Sequence, residues 1–126
     1  MSMRKLYFAL DLHNDPALIA EYEWWHRAQN IWPEVLHALR LRGVGELELF
    51  RCGNRLIQVL EMDPQANAVV QGGEGPHDAR LQAWEQLMWK YQLALPFAAP
   101  GEKWVPMNQM FSLRQALLGR DCQPEG

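Results

Sequence analysis

A predicted β-hairpin near the middle of the chain constrains the fold most. Residues 46–50 alternate between acidic and apolar side chains, which is the period of a half-buried strand, and a second strand-like run covers residues 55–62. Gly53 and Asn54 stand between the two runs, and such a pair is typical of a tight hairpin turn. The sequence therefore predicts an antiparallel sheet.

One strand and two helices are predicted before the hairpin. Apolar residues alternate along residues 6–12, as expected of a strand. Asp15 is a suitable N-cap and Pro16 a suitable first residue for the helix that follows. Pro33 stops this helix and can begin a second one, for which Gly43 is a fitting C-terminal residue.

The patterns after the hairpin complete a familiar order of elements. They predict a short helix at 65–71, a surface loop at 72–76, a helix at 77–92, a strand at 107–113 and a helical turn at 114–118. The predicted fold class is α+β: a ferredoxin-like βαββαβ antiparallel sheet with helices on one face. We expect a single domain over residues 1–126, in which 114–126 form a C-terminal tail.

The second face of this sheet has no predicted helix to cover it. Tyr7 and Ala9 fall on that face and make it only partly polar. An apolar face of this size favours a partner. We therefore predict a homodimer with two-fold symmetry, packed sheet against sheet.

Charge and composition limit the possible partners and compartments. The net charge of −3 gives no electrostatic reason to expect nucleic acid or an anionic membrane as a partner. No apolar run approaches the length of a membrane span, and the N-terminus does not resemble a signal peptide. Cys52 and Cys122 are too few for a disulfide framework or a zinc site. These features predict a cytoplasmic protein without a bound metal.

The strongest candidate for chemistry is the pair Tyr22 and His26. Residues four apart on a helix lie one above the other, so a phenol and an imidazole would be side by side. An imidazole can take up or release a proton near neutral pH. The same spacing also fits a surface histidine beside a core tyrosine on an ordinary amphipathic helix. Nearby Trp32 favours a ligand pocket, because aromatic faces line such pockets and stack on sugars.

Other residues are weaker candidates. Trp89 lies off the apolar face of its helix, which indicates an exposed position, an interface or a cleft. Residues 101–104 could close over a pocket, or could be a loop anchored by a buried tryptophan. Glu21 and Glu34 could act as bases but are more typical of solvated helix positions. No cofactor fingerprint is present, so the predicted chemistry requires proton transfer alone and no cofactor.

These motifs, in this order, resemble the L-rhamnose mutarotase family. The resemblance rests on Glu21-Tyr22 with His26 four residues on, the runs 31–34 and 87–91, and Met110-Phe111, and it covers roughly residues 6–113. It implies a dimeric α/β barrel and aldose 1-epimerase activity on a monosaccharide. It further implies that His26 is the proton donor and that Tyr22 and Trp89 contact the sugar.

The chain departs from typical rhamnose members at three points. The spacing from His26 to the run 31–34 is two residues longer, and Leu47 and Met88 replace a substrate-contacting tyrosine and a second tryptophan. The runs 15–22 and 100–105 look more like the L-fucose branch. We therefore expect interconversion of the α and β anomers of a deoxy hexose, L-fucose before L-rhamnose. The alternatives are a cofactor-independent monooxygenase on the same scaffold and a non-catalytic sugar-binding module.

Overall fold

The computed structural model describes residues 4–64 and 79–122. Its elements are β1 (Arg4–Leu12), α1 (Pro16–Trp25), α2 (Pro33–Leu41), β2 (Val44–Cys52), β3 (Arg55–Met62), α3 (Ala79–Trp89), β4 (Gln92–Leu93), β5 (Val105–Pro106) and α4 (Leu113–Cys122). The predicted helix at 65–71, the predicted loop at 72–76 and the predicted helix start at residue 77 lie outside the described residues. Within the described ranges, no helix is long and apolar enough to cross a membrane.

The strands form one antiparallel sheet in the order β2-β3-β1-β4, with β5 also paired to β1. This confirms the α+β fold and its central hairpin. Side chains directly opposite each other share a face of the sheet, so Leu10 and Leu56 point to the same side. That side is the apolar core, against which Tyr22, Trp84 and Met88 of the helices pack. The core residues of the sheet on this side are Leu10, Leu12, Leu56, Leu60 and Met62.

The fourth strand is interrupted. Leu93 pairs with Asp11 and Val105 pairs with Ala9, so β4 and β5 follow each other along the same edge of β1. Between them, residues 94–104 leave the sheet in a loop that contains two prolines and Gly101, whose φ is 79°. After residue 104 the chain returns to the edge of β1, so the end of this loop lies close to the apolar side of the sheet.

The predicted strand at 107–113 is wrong. The N–H of Met107 still donates to the Tyr7 carbonyl at 2.8 Å, but residues 107–112 then run without regular structure. Residues 107–111 are exposed, so the apolar side chains there have no sheet face to pack on. The predicted helical turn at 114–118 is part of a longer helix, α4, which begins at Leu113.

The two predicted helices before the hairpin are present, but the first ends early. The Asp15 side chain accepts hydrogen bonds from the N–H groups of Ala17 and Leu18 at 2.9 and 3.3 Å, as an N-cap does. Helix α1 then ends at Trp25, well before Pro33, and a series of turns connects it to α2. His26 is therefore the C-cap residue of α1 and not a residue within a helix.

The face of the sheet opposite the helices is partly apolar, as predicted. Tyr7, Phe50 and Leu93 are exposed there within the described structure. Asp11 also lies on this face, where Arg55 donates to its two carboxylate oxygens at 2.6 and 3.2 Å. The face thus combines exposed apolar side chains with a paired charge.

Replacing Gly53 by alanine is expected to lower the free energy of unfolding by about 1–2 kcal/mol. The hairpin turn holds Gly53 at φ 60°, and a Cβ there meets nothing within 4 Å, so the cost comes from the backbone alone. Urea denaturation monitored by circular dichroism measures the change. Gly119→Ala in α4 is the matched control, because it adds a Cβ in open space on a helix and should stabilise by up to about 1 kcal/mol. Equal effects of the two substitutions would contradict the argument.

Candidate active site

A cavity of about 710 Å³ opens between the apolar side of the sheet and the helices. This volume is in the usual range for a small-molecule site. Its wall includes strand residues from β2 and β3, helix residues from α1, α2 and α3, and two residues of the loop before β5. The polar lining residues are Tyr22, His26, Arg40, Arg42, Glu46, Gln58, Glu85, Gln92 and Lys103.

His26 is held in the cavity wall by the end of helix α1. In a continuing helix the backbone N–H of His26 would donate to the Tyr22 carbonyl. Here it donates to the Glu23 carbonyl at 3.1 Å and leaves the Tyr22 carbonyl without its helical hydrogen bond. The imidazole Nδ1 lies 2.8 Å from that Tyr22 carbonyl oxygen instead. Because a carbonyl oxygen only accepts hydrogen bonds, Nδ1 carries the proton in the neutral ring. This tautomer leaves a lone pair on Nε2, which can act as a base.

His26 is expected to titrate below pH 6.5 in the folded protein. Burial lowers the pKa of the imidazole from its ordinary value of 6.5, and the hydrogen bond to the Tyr22 carbonyl opposes this only in part. As the pH falls below 6.5, the unfolded chain binds a proton that the folded chain does not, so folding stability should decrease. Titration of the ring protons by NMR measures the midpoint. The urea-unfolded chain is the control, and a folded midpoint at or above 6.5 would contradict the assignment.

Tyr22 presents a protonated hydroxyl next to this imidazole. The two ring centroids are 4.5 Å apart and the rings are tilted by 43°, so the phenol and the imidazole lie side by side, as the spacing of four residues predicted. Tyr22 is 3% exposed, and its hydroxyl accepts a hydrogen bond from the Gln92 amide at 3.2 Å. Burial raises the pKa of Tyr22 to about 12, with a smaller contribution from the negative charge of Glu85. The phenol therefore acts as a hydrogen-bonding group and not as a base at neutral pH.

Trp84 connects the cavity to the aromatic core. It is 6% exposed, lines the cavity, and lies with its ring centroid 5.6 Å from that of His26. Behind it, the rings of Trp32 and Trp25 pack at 5.2 and 6.4 Å. This cluster makes one side of the cavity rigid and apolar.

A buried ion pair lines another part of the cavity. The Lys103 ammonium is hydrogen-bonded to the Glu85 carboxylate, and Lys103 is only 7% exposed. The Lys103 Nζ also lies 4.7 Å from the ring centroid of Trp89, within the range of a cation–π interaction. The site therefore contains a fixed positive charge that comes from the loop before β5.

The structure brings some of the predicted site residues together and not others. Tyr22 and His26 both line the cavity, and so do Leu47 and Met88. Among the described residues, the lining does not include Trp32 or Trp89. Trp32 packs behind Trp84 with Arg80 over its ring, and Trp89 is exposed beside Lys103.

The two candidate carboxylate bases also lie elsewhere. Glu34 pairs with Arg80 at 3.6 Å, and Glu21 accepts from the Tyr91 hydroxyl at 2.9 Å. Neither is part of the cavity lining in the described structure.

Of the nine polar lining residues in the described part of the chain, sequence reasoning singled out Tyr22 and His26 as site residues and not the other seven, among them Glu85, Gln92 and Lys103. Glu85 follows Trp84 directly and lies three residues before Met88 on the same helix. Its position next to these two buried residues was a weak indication that Glu85 lies near the cavity. Gln92 is buried because its strand pairs with Leu12, which only the sheet topology reveals. Lys103 precedes Trp104, and both line the cavity, so the segment 101–104 contributes more than a tryptophan anchor.

Comparison with known proteins agrees with this architecture. The family model of L-rhamnose mutarotase matches residues 5–113. The chain is 49% identical over 121 residues to an L-fucose mutarotase of Xanthomonas campestris pv. campestris, covering 93% of this chain and 94% of that protein. It is 30% identical over 115 residues to an L-rhamnose mutarotase of Acidiphilium cryptum, covering 88% and 99%.

A solved structure shows the same fold. The crystal structure of an L-rhamnose mutarotase from Formosa agariphila superposes with a TM-score of 0.61 at 18% identity, covering 87% of this chain and 98% of that one. The fold and cavity define a small α+β protein with a pocket of the size of a small-molecule site. The chain belongs to the L-rhamnose mutarotase family. The predicted enzyme class, an isomerase of the mutarotase type, is confirmed by this membership.

Proposed function

We propose that this protein interconverts the α and β anomers of a deoxy hexose, and that its substrate is L-fucose. The observation that carries the proposal is His26 in the wall of a cavity with both polar and apolar lining residues, with its Nδ1 held by a backbone carbonyl. Anomer exchange needs only proton transfers, which a neutral imidazole can perform near neutral pH. The 49% identity to an L-fucose mutarotase supports the choice of sugar.

His26 begins the reaction as a base. Its Nε2 takes the proton of the anomeric hydroxyl, while the bond from C1 to the ring oxygen breaks and the ring oxygen gains a proton. Rotation about C1–C2 in the open-chain aldehyde exposes the other face of the carbonyl. On closure the imidazolium returns its proton to the new anomeric oxygen. The family resemblance implies that His26 is a proton donor, and in this proposal it donates in the closing step and acts as the base in the opening step.

Tyr22 and Gln92 orient the sugar in this proposal. The Tyr22 hydroxyl accepts from Gln92, so its own proton can be donated to a sugar oxygen. The Gln92 carbonyl oxygen is buried with no hydrogen-bond partner among the described residues, and Gln92 lines the cavity. A sugar hydroxyl is the kind of donor that this buried oxygen requires.

The apolar lining supports a deoxy sugar. Leu47 and Met88 contribute apolar surface to the cavity, and Trp84 adds an aromatic ring. The methyl group of a 6-deoxy hexose can pack against such surface, whereas a C6 hydroxyl there would lose its hydrogen bonds to water. Trp32 and Trp89, which the sequence predicted as sugar contacts, support the site from outside the cavity lining in this proposal.

Exchange NMR on L-fucose, L-rhamnose and D-galactose tests the proposal. The wild-type protein is expected to accelerate α/β exchange of L-fucose most, L-rhamnose less, and D-galactose least, because D-galactose has a C6 hydroxyl and the opposite configuration at its ring carbons. Fastest exchange with L-rhamnose would move the substrate assignment to that sugar. Saturable sugar binding without faster exchange would indicate a binding module. If the protein neither binds a sugar nor accelerates exchange, the proposed function is excluded.

We also propose that the protein is a homodimer formed through the free face of the sheet. Tyr7, Phe50 and Leu93 are exposed there, and a second copy can cover them through a two-fold axis. Sedimentation at micromolar concentration should give a dimer for the wild type and a monomer for Phe50→Lys. Leu41→Lys, on the exposed surface of α2, is the control that should remain dimeric. A wild-type monomer would contradict this assembly.

A further inference from the structure

We propose that Lys103 is the acid that protonates the ring oxygen of the sugar, and that Glu85 and Trp89 hold it in position. This rests on the proposed function, because His26 alone accounts for one of the two proton transfers that ring opening requires. The observation behind it is the placement of Lys103 and Glu85 as a hydrogen-bonded pair in the wall of the cavity that contains His26.

The surroundings of Lys103 fix its ammonium in place. Glu85 accepts a hydrogen bond from the Nζ, and the ring of Trp89 lies 4.7 Å away. An ammonium has three N–H donors, so one that is paired with Glu85 still has donors for a ligand. A buried cation of this kind requires a partner charge, which Glu85 supplies.

The other donors of the cavity are less suited to give up a proton. Arg40 and Arg42 line it as well, but a guanidinium keeps its proton in proteins. Tyr22 is a weak acid, because burial raises its pKa to about 12. Lysine differs from these groups because its ammonium can lose a proton and regain it within a catalytic cycle.

The proposed step balances without any further reactant. His26 Nε2 removes the proton from the anomeric hydroxyl, and that O–H electron pair forms the C1 carbonyl. The electron pair of the bond between C1 and the ring oxygen moves to the ring oxygen, which takes a proton from Lys103. The neutral amine then retrieves this proton when the ring oxygen attacks the opposite face of the carbonyl, and His26 returns the other proton.

The inference assigns a place to Trp89. Its ring faces the Lys103 Nζ and is not part of the cavity lining in the described structure. Trp89 is therefore a positioning residue that acts through Lys103 and does not contact the sugar. Trp89→Leu should lower kcat several-fold with little change in KM, whereas loss of a sugar contact would raise KM.

Chemical rescue of Lys103→Ala tests the central claim. This variant should lower the exchange rate by about 10²-fold, which is the low end for loss of a general acid. Ethylammonium fits the space left by the side chain and carries transferable protons. Millimolar ethylammonium should therefore raise the exchange rate of the variant at least tenfold. Tetramethylammonium has the same charge and no N–H, and it should restore nothing. A variant as fast as the wild type, or one that ethylammonium does not rescue, overturns the proposal.

Lys103→Arg gives an independent test if the alanine variant does not fold. Arginine keeps the charge and the pairing with Glu85 but does not release its proton, so a folded and slow variant supports the proposal, and a folded and fast one overturns it. Lys90→Ala is the matched control. Lys90 also has a carboxylate partner, Glu21 at 3.6 Å, but it lies on the surface away from the cavity lining, so the rate should not change.

The two levels of the hypothesis fail in different ways. If the wild-type protein accelerates no sugar, the proposed function is wrong and the role of Lys103 falls with it. If the wild type is active and Lys103→Ala retains full activity, the mutarotase proposal stands and only the role of Lys103 is wrong.

Discussion

His26→Ala is expected to lower the rate of α/β exchange by about 10²–10⁴-fold, the range for loss of a general acid–base group. The hydrogen bond from Nδ1 to the Tyr22 carbonyl fixes the tautomer of the imidazole. Nε2 therefore keeps the lone pair that can accept a proton. Alanine removes the base, and the Tyr22 carbonyl then accepts a hydrogen bond from water. Exchange NMR on L-fucose measures the rate, and the far-ultraviolet circular dichroism spectrum should keep its wild-type shape.

His37→Ala is the matched control for this prediction. His37 is exposed on α2 and is not part of the cavity lining in the described structure, so its loss should leave the rate unchanged. Saturation-difference NMR should still detect sugar binding to His26→Ala, because Tyr22 and Gln92 remain. A folded His26→Ala variant with the wild-type rate would remove His26 from the mechanism.

Trp84→Ala is expected to lower the free energy of unfolding by about 3–5 kcal/mol, as is typical for deleting a large core aromatic. Trp84 is 6% exposed and its ring contacts those of Trp25, Trp32 and His26. Its removal leaves a void behind His26 that these rings can fill only by moving. Chemical denaturation measures the loss, and activity should fall as well because the imidazole loses its support.

Trp24→Ala tests whether this loss depends on burial and not on tryptophan itself. Trp24 is 44% exposed and contacts one neighbouring ring, that of Trp25 at 4.9 Å. Its removal should cost about 1 kcal/mol, close to the typical effect of a point substitution. Comparable losses for the two variants would show that Trp84 is not the central residue of the aromatic cluster.

Local signals in the sequence predicted the first half of the fold well. Asp15 caps α1 as expected, because capping depends on a side chain and the N–H groups two and three residues on. The turn at Gly53 is likewise a local property, and β3 has the predicted bounds, Arg55–Met62. The proximity of Tyr22 and His26, whose ring centroids are 4.5 Å apart, follows from a spacing of four residues across the end of α1.

The second half depends on pairings that are distant in sequence. Strands β4 and β5 have two residues each, which is too short for any periodicity, and they exist because β1 offers them an edge. The burial of Lys103 depends on Glu85, which belongs to a separate element. No pattern within either segment contains that information, so the ion pair could not be predicted.

The tryptophans show the same limit. Composition indicated an aromatic pocket, but it could not say which rings face the cavity. Trp84 is both buried and part of the cavity wall. Trp32 and Trp89 are the predicted aromatic contacts of the ligand, and the described structure places both outside the cavity lining.

The interrupted fourth strand separates the frame of the protein from part of its pocket. Pairing with β1 is present on both sides of residues 94–104, at Leu93 and at Val105, so the loop is anchored to the sheet at both ends. The same loop carries Lys103 and Trp104 into the cavity wall. Substitutions in this loop that keep Leu95 and Lys103 are therefore a direct way to change ligand preference while the β-sheet scaffold stays unchanged.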